Sequence, residues 1–100
     1  TETRANLSEI ARRCSEAGAI VVLVHAKFGV LMSDPYIDAY EAVSESERTV
    51  LIRDSLGGIL GNPGRMYDQI HPNDSGYAVL AERVATVVGP LISASKSARL

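Results

Sequence analysis

The run Ala19-Ile20-Val21-Val22-Leu23-Val24 decides the fold class of this 100-residue chain. It is apolar without alternation and rich in β-branched residues, which is typical of a parallel strand covered on both faces. A second short run, Thr49-Val50-Leu51-Ile52, has the same character. A helical pattern lies between the two runs, so they are predicted to be parallel strands joined by a crossover.

The first of three predicted helices covers residues 6–17, and Gly18 is placed to end it. Its apolar stripe consists of Leu7, Ile10, Ala11 and Cys14. The position of Cys14 in this stripe favours packing in the core over a reactive thiol. A single cysteine cannot form an internal disulfide, and it does not identify the cellular compartment.

Two more helices follow. Ser33-Asp34-Pro35 offers a cap and a first-turn proline to a helix that extends to about residue 46. The last helix begins at an Asn73 or Asp74 cap, and we expect residues 93–100 to be a flexible polar tail. Residues 54–72 form a long glycine-rich loop, which indicates either a functional or a disordered segment.

Composition excludes several function classes. The chain has 10 Lys and Arg against 12 Asp and Glu, so it offers no basic stripe for a nucleic acid partner. Its longest apolar run, at 19–24, is far shorter than the roughly 18 to 20 residues of a membrane helix, and no membrane span is expected. We also expect no cofactor and no metal, because one cysteine and two histidines supply few metal ligands.

Two strands are too few for a sheet that is buried on both faces, because each open edge exposes unpaired N–H and C=O groups. We therefore expect this chain to be about half of a doubly wound α/β sheet. The other strands are expected to precede residue 1, and the chain begins with Thr1, as a processed product or a piece of a longer chain does.

The densest group of chemically useful residues is Tyr67-Asp68-Gln69-Ile70-His71-Pro72-Asn73-Asp74-Ser75-Gly76-Tyr77. Asp68 and His71 are three residues apart, so in a tight turn the carboxylate can accept the Nδ1 proton and leave Nε2 free as a base. Pro72 keeps His71 out of the helical conformation and starts the next helix. The same pattern also occurs in surface turns without a catalytic role.

This block resembles the last conserved block of the SGNH (GDSL) hydrolases, with its Asp-x-x-His-Pro motif and C-terminal helix. It is most similar to the arylesterase, lysophospholipase and thioesterase branch of that family. The upstream segments Asn6-Leu7 to Val24 and Tyr36-Ile37-Asp38-Ala39-Tyr40 also stand in the order of that branch, so the resemblance covers nearly all of residues 1–100.

The resemblance implies a flavodoxin-like three-layer α/β/α fold, of which this chain would be the C-terminal half with about two strands and three helices. It implies hydrolysis of a small-molecule ester or thioester by a Ser-His-Asp triad, with Asp68 as the orienting acid and His71 as the base. The family's nucleophile and oxyanion-hole blocks have no counterpart here. We therefore expect the isolated chain to be inactive and to need an N-terminal segment. Many relatives are secreted or periplasmic, but the sequence does not identify the localisation.

Three alternatives stay open. Arg53-Asp54-Ser55-Leu56 reproduces three letters of the Gly-Asp-Ser-Leu block, but Arg53 replaces the turn glycine, and Ser55 is interpreted as a loop residue. His25, at the end of the first strand, stands where α/β sheets place ligands, although a lone histidine is usually accommodated by packing. The third alternative is a non-catalytic α/β interaction module that associates through an exposed sheet edge.

Overall fold

The computed structural model describes residues 2–27 and 34–98, with side chains up to residue 94. The chain forms two compact units, one of Thr1–Ala26 with Leu31–Asp54 and one of Lys27–Val30 with Ser55–Leu100. In chain order the elements are α1 (Glu2–Glu16), β1 (Val22–Val24), α2 (Ile37–Glu47), β2 (Val50–Ile52), a short 3₁₀ helix (Pro63–Arg65) and α3 (Asp74–Ala98). Among these residues, three α-helices and two strands make a mixed α/β protein, as predicted.

The two strands of the first unit pair in parallel, which confirms the predicted arrangement. Leu23 of β1 lies beside Leu51 of β2 in the register. Neighbouring residues in a parallel pair face the same side of the sheet, and both leucines join one apolar cluster. The crossover between β1 and β2 contains α2.

The core of this unit is built by one residue from each of three elements: Ala11 of α1, Leu23 of β1 and Val43 of α2. All three are buried, with 8 % exposure or less. Partly buried side chains surround them: Leu7, Val21, Tyr40 and Leu51. Burial of a leucine or valine side chain stabilises a fold by about 1.5 to 3 kcal/mol, so this cluster holds both helices on one face of the sheet.

Gly18 ends α1 as predicted. Its φ of 93° is open to glycine and costly for other residues. The Gly18 N–H donates to the Ser15 carbonyl, and the Ala19 N–H donates to the Cys14 carbonyl, both at 3.0 Å. This pair of hydrogen bonds is a Schellman motif, which satisfies carbonyls that the end of a helix leaves unpaired.

The predicted burial of β1 on both faces is wrong. The strand begins at Val22 instead of Ala19, and Ile20 and Val24 are 58 % and 44 % exposed. Within the described residues of this unit, α1 and α2 both contribute to the cluster that contains Leu23. The opposite side of β1 therefore leaves Val24 open to solvent.

The expected packing of Cys14 is also wrong, because its side chain is exposed, as is that of Ile10. The reason is a rotation of α1 about its axis. Ser8 donates to the Glu47 carboxylate of α2 at 3.1 Å, and Ala11 lies in one cluster with Val43 of α2, so the side of α1 that carries Ser8 and Ala11 faces α2. Residues 10 and 14 lie on the other side of the apolar stripe, since successive residues are about 100° apart on a helix.

The start of α2 differs in detail from the prediction. The helix begins at Ile37, after Tyr36 at the N-cap position, and the Tyr36 side chain makes no capping hydrogen bond. Asp34 instead accepts the Tyr36 backbone N–H at 2.9 Å, which forms an Asx turn ahead of the helix. Ser33, the other predicted cap, lies outside the described residues.

In the second unit, the glycine-rich loop 54–72 is folded into successive turns from Ser55 onward. Ile59 is fully buried and Leu56 is 8 % exposed, so this loop has an apolar centre of its own. Arg83 of α3 binds the loop from the helix side, since its Nη1 donates to the carbonyls of Ser55 at 2.9 Å and Gly57 at 2.6 Å. These contacts bind the loop to α3.

Asn73 caps α3, which decides between the two predicted caps. Its side-chain oxygen accepts the Gly76 N–H at 3.0 Å, the bond that an N-cap residue makes to the third helical residue. The helix continues through Pro90 to Ala98 and includes most of the segment predicted as a tail. Serine, alanine and lysine predominate in 93–98, and alanine and lysine favour helix.

The stretch Asp74–Ala94 has a mean hydropathy of 1.3 and is long and apolar enough to cross a membrane, but length and composition alone do not establish a span.

Candidate functional site

The residues of the predicted site lie in a closed turn immediately before α3. Met66 and Pro72 form an isolated antiparallel bridge, and the Tyr67 N–H donates to the His71 carbonyl at 2.8 Å. Asp68 and His71 are therefore held on one short loop whose two ends are hydrogen-bonded to each other. Pro72 also prevents His71 from joining the helix.

Asp68 organises the tip of this turn. Its Oδ1 accepts the backbone N–H groups of Ile70 at 2.7 Å and His71 at 2.6 Å. The imidazole Nδ1 of His71 lies 2.8 Å from Oδ2 and 3.1 Å from Oδ1 of the same carboxylate. The carboxylate thus binds both the backbone and the ring of His71.

These hydrogen bonds stabilise the charged form of Asp68. The backbone N–H groups of His71 and Ile70, followed by the His71 ring, lower the pKa of Asp68 to about 2 from an ordinary value of 3.8. A carboxylate that accepts several N–H groups loses those hydrogen bonds if it is protonated, so its pKa is lowered. Asp68 is therefore an anion throughout the neutral range.

The ring of His71 has one occupied nitrogen and one available nitrogen. An ionised carboxylate only accepts hydrogen bonds, so Nδ1 of His71 carries the proton and donates it to Asp68. Among the described residues, no group hydrogen-bonds to Nε2 of His71, and the side chain is 62 % exposed. In the neutral ring Nε2 is thus an accessible acceptor. The hydrogen bond expected from the three-residue spacing is present, and the catalytic roles of Asp68 and His71 stay a prediction.

Apolar side chains lie next to this pair. Tyr67 is 81 % exposed and Ile70 is 65 % exposed. One open cavity of about 460 Å³ adjoins the turn, lined by Tyr67, Pro72, Asn73, Asp74 and Ser75. The exposed ring of His71 thus lies on a turn that also exposes two large apolar side chains.

The first unit contains a second histidine–carboxylate pair, which sequence reasoning missed. His25 follows β1 and is 3 % exposed, and its Nε2 is hydrogen-bonded to the carboxylate of Asp34. Its Nδ1 accepts the backbone N–H of Asp54 at 2.9 Å, and Tyr40 packs edge-on against the ring at 5.3 Å between centroids. The only local signal was a histidine at a strand end with an aspartate before the next helix.

The two pairs differ in what they can do chemically. Since Nδ1 of His25 accepts a hydrogen bond, the proton of the neutral ring is on Nε2, and both nitrogens are used within the fold. His25 has no accessible nitrogen to accept a proton from a substrate. Its contacts fit the packing interpretation of this residue, whereas His71 has the free nitrogen that a general base needs.

The remaining candidates are placed differently. Ser55 is 2 % exposed, so its hydroxyl is not accessible to an ester, which agrees with its interpretation as a loop residue. Ser75 lies in the first turn of α3, as expected. In the described parts of the chain, no group of three or more His, Cys, Asp or Glu side chains could hold a metal ion.

Comparison with known proteins identified no relative of this chain. No protein-family model matches the chain, and no curated protein or solved structure matches it significantly.

Proposed function

We propose that this chain is the C-terminal part of a serine ester hydrolase of the SGNH type, which acts on small-molecule esters or thioesters. In this proposal Asp68 and His71 are two members of a Ser-His-Asp triad. The serine nucleophile and the oxyanion hole belong to a segment outside these 100 residues. The proposal rests on the resemblance of the Asp68 to Tyr77 block to that family and on the geometry of the turn that carries it.

The observation that carries the proposal is the state of the His71 ring. Its Nδ1 is 2.8 Å from the Asp68 carboxylate, and its Nε2 is exposed with no partner among the described residues. A general base needs a fixed tautomer and an accessible nitrogen, and this ring has both before any substrate binds.

The chemistry follows from that arrangement. Nε2 of His71 takes the proton of the serine hydroxyl as its oxygen attacks the carbonyl carbon of the substrate. The resulting imidazolium is stabilised by the Asp68 carboxylate, which is already charged. The same proton then goes to the leaving oxygen or sulfur as its bond to carbon breaks. Water repeats the sequence on the acyl-enzyme, which releases the acid and restores the serine.

The proposal includes a finer fold assignment. Two parallel strands with a helical crossover fit one half of a flavodoxin-like three-layer sheet. The exposed side chains of Ile20 and Val24 provide apolar surface that further strands or helices of such a sheet would cover.

A covalent serine probe tests the proposal. In the active protein that contains these residues, a fluorophosphonate is expected to label a serine outside residues 1–100. His71→Ala should reduce the rate of labelling by about 10²- to 10⁴-fold, the usual contribution of a general base. Asp68→Asn should slow it as well, because an amide no longer fixes the tautomer of the ring.

Glu82→Gln is the control, since it removes an exposed carboxylate of α3 that makes no contact with the His71 ring and does not line the cavity beside the turn. It should leave labelling within a few-fold of the wild type. Labelling of Ser55, or labelling that is indifferent to His71→Ala, would refute the proposal. The isolated chain should show no saturable hydrolysis of p-nitrophenyl acetate.

A non-catalytic interaction module is the second candidate, favoured by the exposure of Ile20 and Val24 beside a two-stranded sheet. This function predicts that the chain self-associates or folds with a partner through a sheet edge. Sedimentation equilibrium separates the candidates. A dimer that Val24→Lys dissociates, together with the absence of a probe-reactive serine in the active protein, would favour the module.

A further inference from the structure

We infer that Asn73 is a positioning residue for the Asp68–His71 pair, in addition to its role as the cap of α3. This inference rests on the proposed function, because the pair has a reaction to be positioned for only if His71 is a base. The contacts themselves are independent of that function, and so is the experiment below.

Asn73 contacts three consecutive residues at the base of the turn. Its Nδ2 donates to the carbonyl of Gly64 at 3.1 Å and approaches the carbonyl of Met66 at 3.5 Å. Its backbone N–H donates to the carbonyl of Arg65 at 2.9 Å. Residues 64–66, which lead from the 3₁₀ helix into the turn, are therefore all bound to Asn73, the residue that follows the turn.

The other end of the same side chain is bound to the helix. Oδ1 of Asn73 accepts the Gly76 N–H at 3.0 Å, so the amide plane is fixed by hydrogen bonds at both of its polar atoms. The Asn73 side chain therefore connects the first turn of α3 to residues 64–66 through hydrogen bonds. His71 lies two residues before Asn73, and Asp68 lies two residues after Met66.

The consequence for the site is geometric. Exposed turns with free ends sample several conformations, and Asp68 and His71 are both substantially exposed. Their mutual contacts fix the tip of the turn, whereas its base is closed by the Met66–Pro72 bridge and bound on both sides by Asn73. If the base opens, the Asp68 carboxylate and the Nδ1 of His71 separate, and the ring loses its single tautomer.

Nitrogen-15 NMR of the His71 ring in the 100-residue chain tests this inference without a substrate or a nucleophile. In the neutral ring of the wild type, the proton is expected on Nδ1, and Nε2 is expected to have the chemical shift of an unprotonated nitrogen. Asn73→Asp keeps an oxygen for the Gly76 N–H but turns an acceptor toward the Gly64 and Met66 carbonyls. The expected result is a ring that exchanges between both tautomers, with the pKa of Asp68 displaced from about 2 toward 3.8.

Asn73→Ser is the second variant, because it keeps a capping oxygen, adds no charge and is too short to reach residue 64. It should show the same averaging of the ring, while continued protection of the Gly76 amide from exchange shows that the cap is intact. Agreement between the two variants excludes the added charge as the cause.

Asn62→Asp is the matched control. Asn62 is also a capping asparagine of this loop, since its Oδ1 accepts the Gly64 N–H at 3.0 Å. This control should leave the His71 tautomer unchanged. The inference is overturned if Asn73→Ser leaves both the tautomer and the Asp68 pKa at their wild-type values. It is also overturned if Asn62→Asp changes them as much as Asn73→Asp does.

Discussion

A methyl group on Gly76 would lie 2.2 Å from the backbone carbonyl oxygen of Arg65. It would also lie 2.8 Å from Cβ of Pro72 and 3.1 Å from a methyl group of Ile59. The first turn of α3 therefore lies directly against the base of the turn that carries Asp68 and His71. Only a residue without a side chain permits this approach.

Gly76→Ala is expected to destabilise the protein. Alanine favours helix over glycine by about 1 kcal/mol, but the clash is with backbone, which cannot rotate away. Overpacking of this kind costs about 1 to 3 kcal/mol, so the free energy of unfolding should fall. Urea unfolding followed by circular dichroism measures the change.

Gly89→Ala is the control for this substitution. Gly89 lies in the same helix, and a Cβ built on it meets nothing within 4 Å. Its free energy of unfolding should stay within about 1 kcal/mol of the wild type. If both substitutions change the free energy of unfolding equally, the approach of the Arg65 carbonyl does not restrict the side chain at position 76.

Arg83→Met should destabilise the second unit by about 1 to 3 kcal/mol, because hydrogen bonds to charged groups are stronger than neutral ones. The arginine donates to two carbonyls, and methionine retains most of its apolar stem without the donors. Hydrogen exchange of the amides in 55–60 should increase along with the loss of stability. An unchanged exchange pattern would contradict the role of Arg83 in holding the loop.

Arg13→Met provides the comparison on α1. Arg13 pairs with Glu9 at 2.7 Å, but its side chain is 75 % exposed. Exposed ion pairs contribute about 0 to 1 kcal/mol to stability. The free energy of unfolding of this variant, measured by urea unfolding, should therefore be close to that of the wild type.

His25→Gln and His25→Asn separate the two contacts of the buried ring. Glutamine can place a donor near Asp34, and asparagine can place an acceptor near the Asp54 N–H. Each retains one contact and loses the other, so each should cost about 1 to 3 kcal/mol, and His25→Ala should cost more than either. If the midpoint of urea unfolding of His25→Ala equals that of the wild type, the buried His25–Asp34 pair does not stabilise the fold.

Asp68 should show a pH dependence with a definite sign. Its pKa is lower in the folded protein than its ordinary value of 3.8. Its contribution to stability is therefore complete above the unfolded pKa and is lost as the pH falls through about 2. Asp68→Asn should reduce the difference in stability between pH 5 and pH 2. A carboxyl ¹³C titration of Asp68 with a midpoint at 3.8 instead of about 2 would contradict this expectation.

Much of the fold was predictable from local pattern. The three helices, the two strands, the Gly18 termination and the contact between Asp68 and His71 all follow from residues a few positions apart, and the parallel pairing follows from the helical crossover between the strands. Such features depend on backbone propensity, capping and spacing, and these are visible in short segments of sequence.

The errors occurred where a side chain meets a distant partner. The exposure of Cys14 depends on how α1 is rotated against α2, and the periodicity of α1 alone leaves that rotation open. The strand β1 is exposed at Val24 because apolar composition does not say which face a neighbour covers. His25 is occupied at both nitrogens because Asp34 and Asp54 approach it from nine and 29 residues away.

The order of helices and strands and the presence of an aspartate beside His71 are thus local properties, set by hydrogen bonds and steric limits over a few residues. Which of the two histidines keeps a free nitrogen is not a local property. It depends on packing between separate elements, which encloses His25 and leaves Nε2 of His71 open to solvent.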